Sequence, residues 1–388
     1  MSEPAKKPSQ QPESYQPKKP EMMRALEEAQ GETQALGATR AAASAGGSGI
    51  IPHIRYLVKD NHGENYWFNG CMRYVLECLG EPELDYGFFA GITGDNFTQF
   101  YPKGAYKPGM CAVSDYFMGP DYAKWVFDQV GYACEYVTEQ ELLANFDTYL
   151  QKIMSSIDRG IPVINCNWGV FVGYEDGGKT LLYITHEMEE PGRLTGGERF
   201  TEERKFYYTE ERSMAFDSID LIFVGEKKRD IPLAQIYRDA IARLPALLTK
   251  ETEDYYFGAG AFRAWADDIE NGKYDDPAVF DEDWWNYTNY VCVLATNGSD
   301  DHHGFDRKVI ELNPDMAWLE EVSALYKKMG NMWHKDRDCL EKLGGGFNVS
   351  YKTLQNKKKR AKIVAKIREF ADVTDEVVRI LEKGVQEL

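Results

Sequence analysis

One cysteine stands where a thiol could act as a nucleophile. Cys71 lies in residues 66–79, where apolar residues recur at i, i+3, i+4 and i+7 from Met72 onward, the spacing of one helix face. Asn69 is a residue type that caps helix starts, and Gly80 is typical of the position just after a helix end. The pattern therefore predicts a short helix that starts near residue 69, with Cys71 in its first turn.

A first-turn cysteine can do chemistry that an ordinary thiol cannot. Unpaired backbone N–H groups and the helix dipole favour a negative charge there, and the pKa of a thiol falls at such positions. The same position also suits a small buried residue that packs the start of a helix, because free cysteine is among the most buried residue types. On position alone, both interpretations of Cys71 stay open.

The composition limits the classes of protein. The chain has 388 residues, a net charge of −18 and 43% hydrophobic residues, enough for two packed domains after a tail. The acid excess argues against nucleic acid as a partner, and the basic run 357–362 is expected to be a solvated helix face. We find no long apolar run and no secretion signal, so we expect no membrane and a cytoplasmic location.

The seven cysteines carry no pairing or metal pattern. They are scattered along the chain without a CxxC pair or zinc spacing, so we expect reduced thiols, no metal and no cofactor. The adjacent pair His302-His303 offers ligand types that bind metals, but adjacent histidines on one loop seldom supply a closed site.

The elements that must position Cys71 fall into three segments. Residues 1–50 are rich in Pro, Gln, Ala and Ser and are expected to be a disordered extension or linker. Residues 51–230 combine helices with about five short β-rich runs between residues 160 and 224, which predicts an α+β domain with an antiparallel sheet. Residues 231–388 show helical patterns throughout and are expected to form an all-α domain.

Smaller elements complete this prediction. Residues 132–137 predict a strand, and Thr138-Glu-Gln-Glu141 predicts a capping box that opens a helix to about residue 158. The aromatic and glycine-rich segment 86–101 suits either the wall of a pocket or core packing between loops.

Four short motifs resemble a known family. Asn69-Gly-Cys-Met72, Gly160-Ile-Pro-Val-Ile164, Val170-Phe-Val-Gly-Tyr-Glu-Asp-Gly-Gly178 and Leu181-Leu-Tyr-Ile184 are similar to the core of C39-like papain-fold proteins. With the helical C-terminal half, the chain most resembles the butirosin biosynthesis protein H type. The resemblance implies a papain-like domain with a central N-terminal helix and an acyltransferase or amide hydrolase that uses its cysteine. The substrate would be a small molecule or peptide, and an acyl carrier protein would be a partner.

The resemblance also assigns roles to individual residues. Cys71 matches the nucleophile, and its N–H group with the side-chain amide of Asn65 or Asn69 would form the oxyanion hole. Asn69 has the competing role of helix cap.

The general base is where the chain departs from the family pattern. The positions at which the family carries its histidine are Asn167, Trp168 and Gly169, none of which accepts a proton. His186, at the end of the next predicted strand, is the nearest alternative base for Cys71, although it also fits an ordinary histidine at a loop edge. Two classes of function follow: a thiol-dependent acyltransferase or hydrolase, and a non-catalytic protein on the same fold that binds a small molecule or peptide.

Overall fold

An antiparallel sheet organises the first part of the chain. The computed structural model describes residues 47–59, 63–104, 112–166, 169–196, 205–208, 213–215, 219–291, 294 and 302–388. The strands are β1 (Gly49–Ile50), β2 (Phe100–Pro102), β3 (Tyr132–Val137), β4 (Val163–Asn165), β5 (Gly169–Glu175), β6 (Thr180–Thr185), β7 (Gly192–Gly196), β8 (Lys205–Tyr208), β9 (Ser213–Ala215), β10 (Leu221–Lys227) and β11 (Tyr255–Phe257). The main sheet has the order β3-β10-β4-β5-β6-β7-β8-β9, and β1 pairs with β5.

Helices make up most of the remaining described chain. They are α1 (Trp67–Cys78), α2 (Tyr86–Thr93), α3 (Val113–Phe117), α4 (Pro120–Gln129), α5 (Glu139–Ala144), α6 (Phe146–Asp158), α7 (Leu233–Leu248), α8 (Gly258–Glu270), α9 (Pro277–Tyr290), α10 (Phe305–Leu312), α11 (Leu319–Gly330), α12 (Leu340–Leu343), α13 (Tyr351–Gln355) and α14 (Lys357–Gln386). The combination of helices with an antiparallel sheet confirms the predicted α+β class. None of the described helices is both long and apolar enough to cross a membrane.

Strand β5 lies at the centre of the packing. Successive residues of a strand point to opposite faces of the sheet, and residues 169–174 are all buried, so both faces are covered. Helices α1 and α6 both contact this strand. Gly70 lets the backbone at Leu57 cross helix α1 closely, because a Cβ atom at position 70 would lie 2.3 Å from the Leu57 carbonyl oxygen.

Several local predictions hold and others need correction. Strand β3 has the predicted bounds, and the Thr138 side chain accepts a hydrogen bond from the Glu141 N–H group (3.3 Å), as the capping box requires. The helix that follows is interrupted at Asn145, where α5 ends and α6 begins. Segment 86–101 contains α2 and the start of β2 and is buried in the core. Strands β1, β2, β7, β9 and β11 were not predicted, and β11 lies in the segment that was expected to be all-α.

The segments on either side of residue 230 share one hydrophobic core. Strands β2 and β11 pair with each other, and the Tyr326 hydroxyl donates to the Phe97 carbonyl oxygen (2.9 Å). The Asn96 amide donates to the His302 carbonyl oxygen (3.2 Å). Residues 46–388 form one compact unit. The division into an α+β domain 51–230 and an all-α domain 231–388 stays a prediction. The proposed extension 1–50 lies outside the described residues except for residues 47–50, and the last two of these form strand β1 instead of a disordered segment.

Candidate functional site

Helix α1 begins two residues before the predicted start. The residue before its first turn is Tyr66, whose backbone is extended and whose side chain makes no capping hydrogen bond. Trp67 is buried and donates through Nε1 to Asp115 Oδ1 (2.9 Å), which ties the first turn to α3. The Gly70 N–H group already donates to the Tyr66 carbonyl oxygen (3.4 Å), so the free amides of this helix end before Cys71. The Cys71 N–H group therefore belongs to the helix ladder and not to an oxyanion hole.

Asn69 is part of a buried polar network and does not cap the helix. Its side chain is fully buried, donates to Asp95 Oδ2 (2.9 Å) and accepts from the Thr93 hydroxyl (3.3 Å). Asp95 also accepts from the Thr93 hydroxyl (3.1 Å) and from the N–H group and hydroxyl of Ser114 (3.0 and 2.9 Å). Burial raises the pKa of the Asp95 carboxyl, although these hydrogen bonds act in the opposite direction. The network joins α1, α2 and α3 and uses the Asn69 amide as a structural contact with Asp95.

The Cys71 thiol lies in the core. It is fully buried, and its Sγ donates to the Gly169 carbonyl oxygen on β5 at 3.6 Å. Burial, and next the proximity of Cys166, raise the pKa of this thiol well above the ordinary value, and Arg73 lowers it only in part. The direction is opposite to the one expected for a first-turn cysteine, because the thiol is neither in the first turn nor accessible to water.

His186 contributes its backbone rather than its imidazole. Its side chain is exposed, its backbone has a φ of +42°, and its carbonyl oxygen accepts from the N–H groups of Leu57 (2.8 Å) and Val58 (3.2 Å). This residue therefore anchors the segment that crosses α1. Asn65 is also exposed, and residues 167 and 168, where the family pattern carries its histidine, lie outside the described residues. The thiol–imidazole pair of Cys71 and His186 stays a prediction.

A buried ion pair stabilises the same helix. Arg73 Nη1 contacts Glu77 Oε2 (2.9 Å), and Arg73 Nη2 donates to the carbonyl oxygens of Tyr56 and Leu57 (2.9 Å to Leu57). Burial alone would raise the pKa of Glu77, but the hydrogen bond with His53 and the positive charges of Arg55 and Arg73 lower it to about 2. This cluster holds the crossing segment on α1.

A cavity of about 480 Å³ lies between α2, α3, α4 and α7. Most of its wall is apolar, and its polar side chains come from Thr93, Tyr122, Arg243 and Lys250. The described residues that line it are Gly91, Ile92, Thr93, Gly94, Val113, Phe117, Tyr122, Trp125, Ala240, Ala242, Arg243, Leu244, Ala246, Leu247 and Lys250. A largely apolar wall with a few convergent polar groups is the usual character of a small-molecule site.

Arg243 is the charged group of this wall. Burial lowers the pKa of its guanidinium to about 10, and Asp239 and Tyr122 offset that effect only in part. Its Nη2 donates to the Ile92 carbonyl oxygen (3.1 Å), and its Cζ lies 4.7 Å from the centroid of the Trp125 ring. Within the described part of the chain, no carboxylate forms an ion pair with it.

The Tyr122 hydroxyl is the second polar feature of the cavity. It is buried and has no hydrogen-bond partner among the residues that the structure describes. Burial raises the pKa of this hydroxyl, Asp95 and Asp115 raise it further, and Arg243 lowers it, so it remains a neutral donor. A buried polar group without a partner costs about 1–3 kcal/mol, and such groups in native proteins often face a water or ligand position.

His302 forms no metal centre with described ligands, and the side chain of His303 lies outside the described part of the structure. His302 is buried against Phe97 and Tyr326, and its Nδ1 lies 2.9 Å from Asp306 Oδ2, which also accepts from the Ser323 hydroxyl (2.6 Å). Among the side chains that the structure describes, no group of three or more His, Cys, Asp or Glu residues could hold a metal ion. This cluster joins the start of α10 to α11.

The sequence interpretation missed Arg243 and Tyr122. The local signal for Arg243 is a single charged residue in the otherwise apolar run 240–248, Ala-Ile-Ala-Arg-Leu-Pro-Ala-Leu-Leu. The cavity itself has no local signal, because its wall is built from two segments, 91–125 and 240–250, that only the fold brings together. Comparison of the chain with models of known protein families and with curated proteins gave no match.

Proposed function

We propose that this protein binds a small molecule without catalysis, in the cavity between α2, α3, α4 and α7. The observation that carries the proposal is the cavity of about 480 Å³, whose apolar wall includes a partly buried guanidinium without an ion-pair partner in the described chain. Such a pocket can hold a small ligand against apolar side chains while a few polar groups orient it. The papain-like, C39-like assignment of the fold belongs to the same proposal and is supported by the motifs around Cys71 and β5.

The environment of Cys71 favours binding over thiol catalysis. A nucleophilic thiol must ionise and must reach its substrate, whereas this thiol is fully buried, and burial raises its pKa. The helix leaves its N–H group no part in stabilising an oxyanion. A thiol-dependent acyltransferase or hydrolase remains the second candidate, because Cys71 lies on the helix that packs against strand β5, the order that the resemblance implies.

A neutral fluorescent probe tests the proposed function. We expect N-phenyl-1-naphthylamine, which brightens in apolar surroundings, to bind the full-length protein. Ala242 lines the cavity and is partly exposed, so Ala242→Trp should fill the space and weaken probe binding about tenfold or more. Gln235→Trp is the matched control, because Gln235 is an exposed residue on the same helix that does not line the cavity.

Cys71→Ala separates the two candidate functions. Probe binding should survive this substitution, because the thiol does not line the cavity. Equal binding by the Ala242→Trp and Gln235→Trp proteins would refute the cavity as the site. Alkylation of Cys71 by iodoacetamide in the folded protein ahead of the partly exposed Cys134 would instead favour the thiol enzyme.

A further inference from the structure

The charged side chains that line the cavity are all positive. Arg243 and Lys250 are the ionisable side chains that line it other than Tyr122, and no Asp or Glu belongs to its described wall. The Lys250 ammonium lies 5.2 Å from the centroid of the Phe117 ring, which keeps it beside the apolar wall. This asymmetry is notable in a chain whose net charge is −18, because chance placement would favour acidic side chains. An anion is therefore the favoured ligand for this wall.

Arg243 has unused hydrogen-bonding capacity. A guanidinium carries five N–H donors, and the Ile92 carbonyl oxygen is the one acceptor that the described chain offers it within hydrogen-bond distance. Asp239, one helical turn away and exposed, raises the pKa of Arg243 but makes no ion pair with it. Its Cζ lies 4.7 Å from the centroid of the Trp125 ring, and a guanidinium can contact an aromatic ring while its N–H groups bind a planar acceptor.

Tyr122 lines the same cavity as this cation. Its hydroxyl is enclosed by protein atoms and has no hydrogen-bond partner among the described residues. Asp95, which raises the pKa of this hydroxyl, already accepts hydrogen bonds from Asn69 and Ser114. Arg243 is therefore the group of this wall best suited to hold a planar anion.

We propose that the ligand is an organic carboxylate with an aliphatic or aromatic body. This inference rests on the proposed binding function and specifies its ligand class. The carboxylate would pair with Arg243, and the body would lie against Ile92, Val113, Phe117, Leu244 and Leu247. A planar carboxylate matches the fork of one guanidinium. A phosphate dianion would bring a second negative charge into a mainly apolar site.

A series of ligands with the same aliphatic chain and different head groups tests which charge the cavity prefers. Decanoate, decanol, decylamine and decyl phosphate each compete with bound N-phenyl-1-naphthylamine, below their micelle concentrations and at neutral pH. Decanoate should displace the probe at a concentration about tenfold or more below that of decanol, because a charge-assisted hydrogen bond contributes at least that factor. Decylamine should be the weakest competitor. Decyl phosphate stronger than decanoate would overturn the choice of a carboxylate.

Substitution of the cation tests the site. Arg243→Met keeps a long side chain and should remove the advantage of decanoate while decanol competes as before. Arg243→Lys keeps the charge and should restore part of the advantage. Equal loss of decanoate and decanol binding in Arg243→Met would overturn the carboxylate contact. If N-phenyl-1-naphthylamine does not bind the unmodified protein at all, the proposed binding function itself fails, so the two failures are distinguishable.

Discussion

Two largely buried arginines have opposite surroundings. Burial lowers the pKa of both Arg73 and Arg243. Arg73 is paired with Glu77 and donates to two carbonyl oxygens of the segment that crosses α1, and only its Nε lacks a partner in the described chain. Arg243 donates to one carbonyl oxygen, stacks over Trp125 and faces a cavity.

The difference separates a structural charge from one that is available to a ligand. A buried cation is costly unless carboxylates and hydrogen bonds compensate it, and around Arg73 the chain supplies them. Around Arg243 the described chain supplies only part of this compensation. An external anion can provide further compensation, so in the proposed function Arg243, rather than Cys71, marks the binding site.

The largest expected effect is the loss of stability in Arg73→Met. This substitution removes the more buried of the two arginines that contact Glu77, keeps the contact with Arg55 (2.7 Å) and frees two carbonyl oxygens, so the free energy of unfolding should fall by about 3 kcal/mol in urea titrations. Arg243→Met should change it by less than about 1 kcal/mol, because no ion pair is broken. If the two substitutions cost the same, the distinction between the two arginines fails.

A pH series sharpens the role of Glu77. Its pKa in the folded protein is about 2, below that of an unfolded glutamate, so its ionised form stabilises the fold above about pH 4.5. That contribution is lost as the pH falls toward 2. Glu77→Gln should therefore cost about 3 kcal/mol at neutral pH, and the difference from the unmodified protein should shrink on acidification. A difference that stays constant between pH 7 and pH 3 would contradict the ion pair.

The smallest expected effect is the change in stability on removal of the Tyr122 hydroxyl. Tyr122→Phe removes a buried donor without a described partner, so the ligand-free protein should gain about 1 kcal/mol of stability. Tyr287→Phe is the matched control, because the Tyr287 hydroxyl donates to the Gly345 carbonyl oxygen (2.9 Å) and its removal should cost about as much. Destabilisation by both substitutions would mean that Tyr122 already has a partner.

Elements whose ends are marked by turn or cap residues were predictable from the sequence. Strand β3 lies between Gly131, whose φ is +80°, and the cap Thr138, and its predicted and observed bounds agree. The long C-terminal helix was also anticipated, although Asn356 caps α14 and separates it from α13. In both cases the information lies in adjacent residues, where turn and cap chemistry act.

The start of α1 and the cavity could not be predicted in that way. Asn69 has the type of a cap, but the burial of Trp67 and Phe68 starts the helix earlier, and Asp95 holds the Asn69 amide. The protonation of Cys71 depends on strand β5 covering it, which its own helix does not reveal. Tertiary contacts decided both outcomes, and they also built the cavity from segments far apart in the chain.

The pairing of β2 with β11 has a consequence for synthesis of the chain. Strand β2 contains Phe100 and Tyr101, both buried in the finished fold, and its partner is made only when residues 255–257 are translated. At 5–20 residues per second the ribosome leaves this aromatic strand without its partner for roughly ten to thirty seconds. During that interval the backbone hydrogen-bonding groups of β2 lack their partner strand, and an unpaired strand edge favours pairing with other chains.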